Sequence, residues 1–157
     1  MAETDTLYDR DFVLWTEEQA AALRRAKDSN LPLDWENLAE EIESLGKSNR
    51  RELRSQIRRI LRHLLKLETS RVMEPRAGCR ETIIDARTEI EFLLEDSPSL
   101  RRDVDAIIGK QSEVAAKLAT SDLDEHGEPT EGIRVRLAQG GFTAEQVLGD
   151  WFPHTPG

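Results

Sequence analysis

The sequence contains one cysteine, Cys79, so neither an intramolecular disulfide nor a cysteine-ligated zinc cluster is available to staple the chain. A lone thiol suits a reducing compartment, and a cytoplasmic protein is expected. No apolar run approaches the roughly 18 residues that a membrane helix requires, so no membrane association is expected. Met1–Tyr8 is acidic and polar, without the basic and apolar segments of a secretory leader. Aromatic residues make up only 5%, and none is interleaved with the arginines of the middle segment, so a base-stacking surface for nucleic acid is not indicated. Equally missing are a glycine-rich phosphate loop, a G-x-S-x-G elbow, an H-E-x-x-H pair and any Glu-x-x-His pair. No cofactor is therefore expected, and the reading leans away from an enzyme.

What the chain does have is charge and helical periodicity. Its 157 residues suit one domain with a core that needs no staple. The charged share, 34%, exceeds the usual quarter and favours helices with solvated faces over a sheet. The net charge of −9 is unevenly spread. Met1–Gly46 carries 12 acidic and 4 basic residues, Lys47–Arg80 carries 3 and 11, and Glu81–Gly157 carries 16 and 7. A basic middle is thus flanked by two acidic parts.

Apolar residues at steps of three and four predict a helix over Tyr8–Lys27, followed by a loop with Asn30 and Pro32. Asp34 is placed to cap a second helix whose stripe, Trp35, Leu38, Ile42 and Leu45, is expected to be buried. Gly46 stands where a terminating glycine belongs, and Ser48 or Asn49 can cap again, so a turn or kink is expected at Gly46–Asn49. A third helix follows over Arg50–Glu68 with Leu53, Ile57, Ile60, Leu61, Leu64 and Leu67 inward. Thr69–Cys79, with Pro75 and Gly78, is expected to be a connector. Ile83, Ala86, Ile90, Leu93 and Leu94 mark a fourth helix ending near Glu95. Ser97-Pro98 opens a fifth, with Leu100, Val104, Ile107, Gln111, Val114 and Leu118 inward, ending near Ala119. Residues 120–132 are expected to form an exposed loop and residues 1–6 to be flexible. Ile133–Leu137 reads as a short helix or irregular segment. Thr143 with Gln146 caps a last short helix, and Trp151 and Phe152 tuck the tail inward. The predicted fold is all-α: a single-domain bundle of four or five main helices plus a short C-terminal helix.

Several runs carry a resemblance. They are Leu7-Tyr8-x-x-Asp11-Phe12-x-x-Trp15, the run from Leu33 to Gly46 (LDWENLAEEIESLG), His63-Leu64-Leu65-Lys66, the run from Leu93 to Leu100, and Thr143-x-x-Gln146-Val147-Leu148. Together they resemble the bacterial family known as domain of unknown function family 29, over nearly the whole chain. The resemblance implies an all-helical, cytoplasmic bacterial protein and no particular activity. The chain departs from the family pattern at Glu68–Arg80, where aromatic and glutamine-rich residues are usual.

Three sets of residues are candidates for function. Glu36, Glu40 and Glu43 share one helix face, and Glu40, Glu43 and His63 form a candidate metal set, weighed against a solvated acidic face and a satisfied boundary histidine. Arg51, Arg54, Arg58 and Arg62 line one side of the basic helix Arg50–Lys66 as a candidate anion or nucleic-acid face. The simpler alternative pairs them with neighbouring acidic helices. Cys79 has no histidine near it in sequence and reads as a half-buried structural thiol. The leading expectation is a non-enzymatic helical interaction module with a protein partner, self-association included. A nucleic-acid-contacting accessory protein is second and a metal-dependent enzyme third.

Overall fold

The computed structural model describes residues 5–156. Residues 1–4 of the segment expected to be flexible lie outside them. The described residues form seven α-helices and no strand: α1 (Leu7–Arg10), α2 (Phe12–Arg25), α3 (Trp35–Thr69), α4 (Met73–Asp96), α5 (Val104–Glu125), α6 (Glu131–Ala138) and α7 (Ala144–Leu148). Short 3₁₀ turns occupy Ala26–Asp28 and Pro98–Asp103. The chain divides into two compact units. Of the described residues, one holds those up to Leu53 and Phe92–Arg102, the other Arg54–Glu91 and those from Asp103 onward.

In the first unit, the expected Tyr8–Lys27 helix is interrupted at Asp11, whose backbone is extended (φ −157°, ψ 94°). Asp11 is buried, and its carboxylate accepts from Leu14 N–H at 2.9 Å, capping α2. It also accepts from Ser99 N–H at 2.7 Å and from Ser99 Oγ–H at 2.9 Å. In return Val13 N–H donates to Ser97 Oγ at 3.0 Å. A capping aspartate that also serves a distant segment wins over the apolar periodicity that runs through it.

The expected break at Gly46–Asn49 is absent, because α3 runs unbroken over 35 residues, about 52 Å at 1.5 Å per residue. Gly46 is there for space. A Cβ at that position would stand 2.3 Å from Thr16 Oγ1, so only glycine lets α2 lie this close to α3. The stripe expected to be buried is displaced accordingly. Gly46 faces α2 and Ala39, seven residues before it, is buried, while Leu38 is 41% and Leu45 51% exposed.

In the second unit, the half of α3 from Arg54 to Thr69 buries Ile57, Ile60, Leu61, Leu64, Leu65 and Leu67. The segment expected to connect Thr69 to Cys79 is mostly helix. Residues 70–72 make the turn, and α4 begins at Met73. Pro75 fits its first turn, where the N–H that proline lacks has no helical acceptor. Arg76, Cys79, Ile83, Ala86 and Ile90 then form one buried row at steps of three and four. Helix α5 outruns its expected end. Ala115, Ala116, Ala119 and Leu123 are its buried row, Val114 is 43% exposed, and the helix reaches Glu125. The loop expected over residues 120–132 is thereby reduced to 126–130, turned by Gly127 at φ 67°. Residues Ile133–Leu137 belong to α6, a short helix. The Thr143–Gln146 capping box of α7 forms as expected, with bonds of 3.0 and 3.1 Å. The tail is held by Arg87, which donates to the carbonyls of Gln146 (2.8 Å), Val147 (2.9 Å) and Trp151 (2.7 Å). Its guanidinium lies 4.7 Å from the Phe152 ring centre.

Candidate functional site

The densest chemistry in the second unit lies where α3 turns back into α4. A short turn at residues 70–72 makes the two helices a hairpin. Residues equally far from the turn come level, and His63 and Cys79 are two such residues. The Cys79 Sγ stands 3.2 Å from His63 Nδ1. Burial pushes the thiol up from its ordinary value, so sulfur keeps its proton. Burial, and after it the charges of Lys66 and Arg62, pushes His63 down to about 4, so the ring is neutral. The contact is therefore a thiol S–H donating to Nδ1, which leaves the Nε2–H as the ring's free donor. A pair of this kind is not a thiolate–imidazolium nucleophile at neutral pH.

Asp122, on α5, sits beside this pair and takes up two of the nearby cations. Arg62 donates to it twice, Nε to Oδ2 and Nη2 to Oδ1, each at 2.7 Å. Lys66 Nζ lies 3.3 Å from Oδ2. The hydrogen bonds from Arg62, first of several causes, hold the Asp122 carboxyl below the usual carboxylate range. On one side, Lys66, Arg76, Cys79, Asp122, His126 and Glu128 are among the walls of a cavity of about 100 Å³. There Arg76, itself buried, donates to the carbonyls of Leu67 and of Ser70, the latter at 2.9 Å. It thus satisfies carbonyls left open where α3 ends. On the other side, Ser55, Arg58, Arg59, Arg62, His63 and Leu118 line a second cavity, of about 170 Å³.

The candidate arginine face is divided by these contacts. Arg62 is committed to Asp122. Arg51 and Arg54 are exposed and Arg58 is half-buried, and none of the three forms an ion pair among the described residues. The candidate metal set is not assembled. Among the described residues no three His, Cys, Asp or Glu side chains stand together as metal ligands. Glu43 is bound by Arg24 (2.6 Å) and Lys47 (3.0 Å), which hold its carboxyl below its ordinary value. Glu40 is exposed, and His63 is taken by Cys79. Sequence reasoning missed the His63–Cys79 contact because it read residues 69–79 as a connector. The signal was present: the buried row of α4 continues upstream from Ile83 through Cys79 to Arg76. Asp122, on another helix and 60 residues from Arg62, left no such signal.

Fold and site together define an all-helical protein with a neutral thiol–imidazole pair, Cys79 buried and His63 half-buried, that borders two cavities, and with no three metal-ligating side chains together among the described residues. The family described as Domain of unknown function DUF29 matches residues 7–152, and the chain belongs to it. Among solved structures the chain is similar to an alpha-helical protein of unknown function from Rhodospirillum rubrum. The two share 27% identity with a TM-score of 0.70, over 94% of this chain and 92% of the other. No curated protein matches. Neither the family nor the neighbour has an assigned function. No helix among the described residues is long and apolar enough to cross a membrane.

Proposed function

We propose that the chain is a non-enzymatic protein-docking domain of the bacterial cytoplasm, and that its partner is a basic amphipathic helix. The observation that carries this reading is the open apolar row at the start of α3. Leu38 (41%) and Leu45 (51%) are exposed, Trp35 and Ile42 are half-covered, and Leu31 (62%) and Leu33 (51%) lead into the row. Clustered apolar exposure of this kind marks interaction surfaces more than isolated surface leucines do. The charge around the row selects the occupant. Asp34 lies four residues before Leu38, and Glu41 lies three after it and four before Leu45, so both carboxylates border the row. A second copy docking row on row would set these carboxylates against their own kind, whereas lysines or arginines flanking a partner's apolar face would complement them. The single reduced cysteine supports a reducing compartment.

The test uses fluorescence anisotropy with two labelled model helices of leucine heptads, one flanked by lysine and one by glutamate. The lysine peptide is expected to bind more weakly as salt rises, and the glutamate peptide is expected not to bind. Leu38→Asp with Leu45→Asp, both at exposed positions, should weaken binding at least tenfold while leaving the circular dichroism spectrum unchanged. Absence of binding at about 100 μM lysine peptide overturns the proposal. So does a concentration-dependent dimer that the same double substitution abolishes, since that assigns the row to a second copy.

A further inference from the structure

We infer that the cavity lined by Ser55, Arg58, Arg59, Arg62 and His63 is a binding site for a phosphate-class oxyanion. The five residues fall at i, i+3, i+4, i+7 and i+8 along α3, the spacing of a single helix face. They bring three guanidiniums, a hydroxyl and an imidazole to one opening of about 170 Å³, closed on one flank by Leu118. A water needs about 30 Å³, so the space suits several waters or one tetrahedral anion.

Among the described residues the charge there is only partly balanced. Asp122 is the carboxylate that meets these cations, and it is shared between Arg62 and Lys66. Arg59 has a neutral partner, the amide oxygen of Gln56 at 3.5 Å. Arg58 is half-buried and without an ion pair among the described residues. Three guanidiniums held together on one face repel one another unless an anion joins them, and planar N–H forks suit a phosphoryl group in particular. His63 senses the same field. It faces Arg59, Arg62 and Lys66 from α3, Asp122 from α5 and the Cys79 thiol from α4. With Nδ1 accepting from Cys79, its Nε2–H remains available to an anion oxygen.

The test follows the His63 ring by NMR as pH is varied in the full chain, with and without inorganic phosphate, at ionic strength matched with sodium chloride. Without phosphate the ring is expected to titrate near 4. Saturating phosphate, a negative charge within a few ångströms, should raise that midpoint by at least about one unit. Arg58→Gln and Arg59→Gln should each weaken phosphate binding at least tenfold, with the circular dichroism spectrum unchanged because neither arginine forms an ion pair among the described residues. Arg51→Gln and Arg54→Gln should change it less than twofold. The inference is overturned if about 20 mM phosphate leaves the His63 midpoint where matched chloride leaves it. It is also overturned if a 20-nucleotide DNA binds without phosphate doing so and Arg51→Gln and Arg54→Gln weaken that binding as much as Arg58→Gln does. That result would assign the charge to an open nucleic-acid stripe.

Discussion

Replacing Gly46 by alanine distinguishes a glycine that ends a helix from one that lets two helices touch. In an uncrowded helix interior the substitution stabilises by about 1 kcal/mol, because alanine has less backbone freedom to lose. Here the new Cβ would stand 2.3 Å from Thr16 Oγ1 and 3.5 Å from Thr16 Cβ. Thr16 is fully buried, and its hydroxyl donates to the Val13 carbonyl at 2.6 Å, so it cannot swing aside without losing that bond. Overpacking of this kind costs about 1–3 kcal/mol. Gly46→Ala should therefore be destabilising on balance, by up to about 2 kcal/mol. In a Thr16→Ala background the oxygen is gone and the closest remaining Thr16 atom is the Cβ at 3.5 Å, an ordinary contact. There the same substitution should stabilise by about 1 kcal/mol. Urea denaturation of the four proteins of this cycle should give a coupling of about 1–3 kcal/mol between positions 16 and 46. Equal stabilisation by Gly46→Ala in both backgrounds refutes the close-approach argument. Equal destabilisation in both would instead show a glycine needed for its backbone conformation.

Two further predictions rest on the second unit. His63 titrates near 4 in the folded chain and near 6.5 when unfolded, so the unfolded state binds its proton first as pH falls. The stability that a neutral His63 contributes is complete above about pH 6.5 and is lost as pH falls from there toward 4. His63→Gln should flatten that part of a stability-against-pH curve, and an unchanged slope would refute the assignment. Arg87→Ala removes three hydrogen bonds to the carbonyls around α7 and the cation over Phe152, and should cost about 2–4 kcal/mol while shifting Trp151 emission toward that of an exposed indole. Arg87→Lys should not restore it, because one ammonium cannot reach all three oxygens. Wild-type stability in Arg87→Ala would count against the anchoring role.

How far the sequence could be read depended on the range of the interaction concerned. Helical class, the capping box at Thr143 and Gln146, and the buried row Leu53–Leu67 are consequences of residues three or four apart, and they were legible. The start of α4 was obscured by Pro75 and Gly78, although proline in a first helical turn breaks nothing. The end of α5 was obscured by acidic residues that in fact belong to a helix continuing to Glu125.

By itself, then, the sequence determined an all-helical chain, the charge asymmetry around Arg50–Lys66 and membership of a family without an assigned activity. Only tertiary structure decided what Gly46 and Asp11 are for, since the answers lie in Thr16 and Ser99, on other segments. It also decided which apolar row is covered. Periodicity shows that one side of α3 is apolar, but α2 approaches at Gly46, and Ala39 is buried while Leu38 and Leu45 stay open. The pairing of His63 with Cys79 and of Arg62 with Asp122 was likewise decided by which helices lie side by side, a relation that spacing along one helix does not carry.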